Sequence, residues 1–123
     1  MRIPILTYSD NELPVIQQFT DGSWVYNFNR QSHEEECEHM NDNLDSEMMK
    51  TVYTAITVTS DVKPTYKEAV EKVIRLYLSS SEEFDLINSA YQGDDTEYKE
   101  WLVKLKEIKT KIRKDFEDYE QTH

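Results

Sequence analysis

His33, Cys37 and His39 stand within seven residues of one another, flanked by Glu34, Glu35, Glu36 and Glu38. Imidazole, thiolate and carboxylate together make a zinc donor set, and on a helix His33 and Cys37 would share one face. A zinc signature needs a second paired set, however, and the remaining histidine is His123 at the C-terminus. The cluster therefore reads as an acidic linker, and no metal or cofactor is expected. Nucleophilic catalysis needs a Ser or Cys, a base and an orienting group, and no local pattern such as G-x-S-x-G supplies them. Cys37 among glutamates is a poor thiolate, because adjacent negative charge opposes its ionisation. The pairs Glu82–Glu83 and Asp94–Asp95 fall where helix caps are wanted and read as capping groups. With glycine only at Gly22 and Gly93, neither Gly-rich phosphate loop can be assembled. The chain reads as a non-enzyme.

Charge narrows the partners. Asp and Glu number 25 against 14 Lys plus Arg, a formal charge of -11 over 123 residues. That balance disfavours phosphate backbones and anionic bilayers. Six cations crowd Lys104, Lys106, Lys109, Lys111, Arg113 and Lys114, but Glu97, Glu100, Glu107, Asp115, Glu117, Asp118 and Glu120 interleave with or follow them. A solvated helix face laced with i, i+4 ion pairs is the reading, so no direct nucleic-acid contact is expected. Mean hydropathy is -0.80, and no run approaches the roughly 18 to 20 apolar residues of a membrane span. One cysteine, and the early Asp10 and Glu12, point to cytosolic synthesis without a signal peptide.

Residues 1–32 read as short extended pieces, with Asp21-Gly22 turning a hairpin between Pro14–Phe19 and Trp24–Asn29. Residues 33–50 carry seven acidic residues and one lysine and read as an acidic loop. Thr51–Thr59 is the densest β-branched run, a strand with Val52, Thr54, Ile56 and Val58 on one face. After Pro64 the period becomes helical. Thr65-x-x-Glu68 has capping-box spacing, and Tyr66, Ala69, Val70, Val73, Ile74 and Tyr77 follow i, i+3, i+4. Ser79–Ser81 ends that helix and opens a shorter one bearing Phe84, Ile87 and Tyr91, which Gly93 stops. A third helix from Asp94 or Asp95 runs through Trp101, Leu105, Ile108, Ile112, Phe116 and Tyr119, roughly 35 Å in length. It outreaches its neighbours, leaving Ile112, Phe116 and Tyr119 as a surface for docking or self-association.

The passages PILTYSDNELP, DGSWVYNFN, VYTAITVTSDVKPTYKEAVEKVIRLYLS and YKEWLVKLKEIK resemble small proteins encoded by phages and prophages of gut Bacteroidetes. Genes for such proteins accompany those for virion or tail-fibre components. The most telling part is Tyr53 to Tyr77, strand-Pro-Thr-Tyr-helix. Where those proteins carry Arg-x-Arg-Tyr, this chain has Arg75-Leu76-Tyr77 with one arginine missing. The resemblance spans most of the chain outside the acidic segment and implies a phage context with a non-enzymatic role. No catalytic residue comes with it.

The expected architecture is α+β, a small antiparallel hairpin or sheet followed by three helices, the last one long. Residues 1–32 form the hairpin region, 33–50 the acidic loop and 51–123 the strand and helices, all in one domain. The expected function is phage structural or assembly work through contacts with other phage proteins or with itself, in the virion or in the infected host's cytoplasm. Tyr26, Phe28, Ile112, Phe116 and Tyr119 are the expected partner-binding residues, because aromatic anchors dominate interfaces; Trp24 and Trp101 are expected to fill the core. The alternative is an acidic nucleic-acid mimic that inhibits a host defence protein through the acidic residues at 34–38 and 42–47. Binding of that kind weakens steeply with salt.

Overall fold

A computed structural model describes residues 1–36 and 49–122. The protein is α+β. Four antiparallel strands, β1 (Thr7–Ser9), β2 (Ile16–Gln18), β3 (Trp24–Glu36) and β4 (Met49–Ser60), precede three helices, α1 (Tyr66–Tyr77), α2 (Ser80–Tyr91) and α3 (Thr96–Thr122). The strand order is β1-β4-β3-β2. β1 and β2 thus lie on opposite edges, and the chain between them must cross the sheet. Asn27 holds that crossing on the face away from the helices: its side-chain amide donates to Pro14 O at 2.8 Å, and its oxygen accepts from the Thr57 hydroxyl at 2.8 Å. At 2% exposure Asn27 is a buried polar group with both functions satisfied.

Asp21-Gly22 makes the expected turn between β2 and β3. Gly22 sits at φ 91°, where a side chain would be strained, and the Asp21 carboxylate accepts from the Ser23 amide and hydroxyl. Those bonds, the hydroxyl's first, hold its pKa below the ordinary value. β3 pairs with β4 along nearly its whole length, with one extra residue between Phe28↔Ile56 and Gln31↔Thr54. Asn29, at φ 54°, lies in this bulge and takes a conformation that Asn tolerates better than most residues. Beyond it β3 continues through His33–Glu36, and β4 begins at Met49. The strands therefore extend into both ends of the stretch read as a loop. An exposed two-stranded ribbon needs no apolar face, and its pairing of Glu35 with Lys50 suits opposite charges.

The other sheet face carries the core. Tyr26, Phe28, Ile56 and Val58 meet Ala69, Val73, Ile74 and Tyr77 of α1 and Trp101, Ile108, Ile112 and Phe116 of α3 in one buried cluster. α1 starts where Thr65 accepts from the Glu68 amide, and its five buried residues are those the i, i+3, i+4 pattern selects. α2 starts with a reciprocal capping box between Ser79 and Glu82. The Ser79 amide bond holds the Glu82 carboxyl below its ordinary value, with Arg2 contributing less. Gly93, at φ 108°, ends α2 and donates to Ala90 O, the left-handed stop that glycine suits.

The overhang expected of α3 is not found. Its 27 residues span about 40 Å, and the helix packs on α1 and back onto β3. Ile112 and Phe116 consequently join the buried cluster, with the Phe116 ring centroid 5.4 Å from that of Tyr26 and 6.3 Å from that of Tyr66.

Candidate functional site

Four of the five residues expected to bind a partner belong to the core. Tyr26, Phe28, Ile112 and Phe116 are 0, 2, 0 and 9% exposed, so in this fold they hold sheet to helix and offer no docking face. Tyr119 is half-buried against the same cluster, with the Lys63 ammonium 5.1 Å from its ring centroid. The two tryptophans behave as core residues, Trp101 buried and Trp24 partly so.

Beneath α3, the Tyr26 hydroxyl donates to Asp115 Oδ2 at 2.6 Å, and Arg30 lies 3.7 Å from the other oxygen. Burial, then the Asp115 bond, raises the Tyr26 pKa far above the ordinary phenol range. Burial also raises that of Asp115, against the Tyr26 bond and the Arg30 charge. A permanently neutral phenol donating to a half-buried carboxylate clasps the sheet to the helix. In the acidic segment, His33 Nε2 lies 2.7 Å from Glu35 Oε1 on the exposed ribbon. Cys37 and His39 lie outside the described residues, as do the acidic positions from Cys37 onward. Among the described residues no group of three His, Cys, Asp or Glu side chains could hold a metal ion, and no helix is long and apolar enough to cross a membrane.

The surface that stands out is on α2, a helix without one buried residue. Phe84, Ile87 and Tyr91, at i, i+3 and i+7, are 62, 44 and 92% exposed and form an apolar ridge facing solvent. Only Leu86 packs partly against the core. α2 is held instead by a polar staple. Arg75 on α1 bonds Glu71 at 3.0 Å, Glu83 at 3.2 Å and the Leu78 carbonyl at 3.3 Å. Glu83 accepts from the Trp101 indole at 2.7 Å through its second oxygen. One carboxylate thus ties α2 to both neighbours, satisfied by two strong donors. Periodicity marked Phe84, Ile87 and Tyr91 as one face but could not show that no described residue covers it. The capping position of Glu83 likewise hid its role in the staple.

Beside the ridge, α1 and α3 enclose an open groove of about 700 Å³, lined by apolar Val70, Ile74 and Leu105 and by Tyr66, Lys67, Lys109 and Arg113. Arg113 lies over the Tyr66 ring, 5.4 Å from its centroid. Glu83 is among the residues lining the groove, so the groove reaches α2, the helix that carries the ridge. The groove is cationic on a strongly anionic protein, since Arg75 already engages Glu71 and Glu83 while the remaining rim charges are positive. Comparison with protein-family models, with curated proteins and with solved structures finds no match.

Proposed function

We propose that this protein does phage structural or assembly work without catalysing a reaction, through contacts with other phage proteins or with copies of itself. The observation that carries the reading is the outer face of α2. A helix with no fully buried residue, yet with Phe84, Ile87 and Tyr91 in one exposed row, maintains an apolar surface that the described fold does not use. Such patches suit protein contact. The phage context is supported by the resemblance of Tyr53–Tyr77 and its neighbours to small phage-encoded proteins, and on this reading the protein works in the virion or in the infected host's cytoplasm. The contact residues become Phe84, Ile87 and Tyr91, in place of those now accounted for by the core.

The test is co-sedimentation with particles from phage-producing cells, comparing the wild type with a Phe84→Ser/Tyr91→Ser variant. Wild-type protein is expected in the particle or assembly-intermediate fractions, with the variant displaced to the top of the gradient. Wild-type protein found only at the top would contradict the reading, as would a variant that sediments like the wild type.

A further inference from the structure

We infer that the ridge of α2 pairs with the cationic groove of a second copy of this chain. The inference rests on the protein-contact reading and names one partner for that surface. Its basis is charge complementarity within a single sequence. Residues 80–95 contain Glu82, Glu83, Asp85, Asp94 and Asp95 and no Lys or Arg. Glu82, Glu83 and Asp95 are paired with Arg2, Arg75 and Lys99, whereas Asp85 and Asp94 have no cation partner among the described residues. On the groove side, Lys67 and Lys109 likewise have no carboxylate partner among the described residues. The ridge is thus an apolar row on an anionic helix, and the groove an apolar floor with a cationic rim. The chain's net charge of -11 opposes any pairing of copies, so this rim is where a second copy can approach with attraction.

Adjacency sets the symmetry. Glu83 belongs to α2 and lines the groove, and Ile87 stands one turn further along. A two-fold axis beside Glu83 lets each copy present its ridge to the other's groove, giving a closed, isologous pair. Both halves of the contact are then used twice, and no open end remains to propagate a fibre.

Sedimentation equilibrium on the purified full chain, in about 0.15 M salt, tests this with two charge reversals at exposed positions. One variant carries Lys67→Glu and Lys109→Glu; the other carries Asp85→Lys and Asp94→Lys. The wild type is expected at twice the chain mass of 14.7 kDa. Each variant alone is expected at the single-chain mass, because its ridge and groove now share a sign. An equimolar mixture is expected to return to twice the chain mass, since both contacts of the mixed pair are again of opposite sign. A monomeric wild type, variants that still pair alone, or a mixture that stays monomeric would each overturn the inference. A monomeric wild type that nevertheless co-sediments with particles would overturn the second copy as partner and leave the contact reading standing.

Discussion

Helices α2 and α3 both carry apolar residues at helical spacing, and the structure puts them to opposite uses. On α3, Trp101, Ile108, Ile112 and Phe116 are buried against the sheet and α1. On α2, Phe84, Ile87 and Tyr91 are exposed, and the helix is kept in place by Arg75, Glu83 and Trp101. The same periodicity therefore marks a folding surface in one helix and a free surface in the other. What separates them is tertiary: α3 is long enough to return across α1 and β3, while α2 meets the rest of the fold through the Arg75–Glu83–Trp101 bonds and the partly buried Leu86.

The contrast is sharpest in stability. Ile112→Ala or Phe116→Ala should cost about 2–5 kcal/mol through lost burial and the cavity left behind, read as a lower urea midpoint. An unchanged midpoint would mean that α3 does not carry the core. Next in size is the clasp. Tyr26→Phe leaves the half-buried Asp115 carboxylate without its donor and should cost about 1–3 kcal/mol at neutral pH. Asp115 also sets a pH dependence of defined sign. Its folded pKa lies above the ordinary 3.8 because of burial, so its contribution is fully present below that value and is lost as pH rises through the folded value. Relative to Asp115→Asn, the wild type should lose stability across that acid interval; a gain would contradict the burial argument.

Smaller effects probe how α2 is held. Ser79→Ala removes the capping box and should cost about 1 kcal/mol. Its signature is faster amide exchange in α2 than in α1, and equal acceleration in both would show that α2 is not held separately. Ile87→Ala, on the exposed ridge, should change folding stability by no more than about 0.5 kcal/mol. A loss as large as that of Ile112→Ala would show that the ridge is covered within the chain.

Local signals in the sequence disclosed much of this fold. Thr65-x-x-Glu68 and the apolar row to Tyr77 marked α1, Asp21-Gly22 marked the hairpin turn, and Ser79 and Gly93 marked the ends of α2. What was not legible depended on cover. Ile112 and Phe116 read as surface because periodicity selects a face without saying what lies over it. His33–Glu36 read as loop because charge suggests solvent, yet a paired ribbon can be charged on both faces. Asn27 gave no sign that its amide would bind the crossing chain at Pro14. The α2 ridge was visible as a pattern and became a candidate site only once its exposure was known.

The central claim is that Phe84, Ile87 and Tyr91 serve contact with a second copy of the chain rather than folding. It is tested most directly by light scattering on the wild type and on Phe84→Ser/Tyr91→Ser, each confirmed folded by its unfolding midpoint. The account expects twice the 14.7 kDa chain mass for the wild type and the single-chain mass for the variant. Equal masses for two folded proteins, whether single or double, would contradict it.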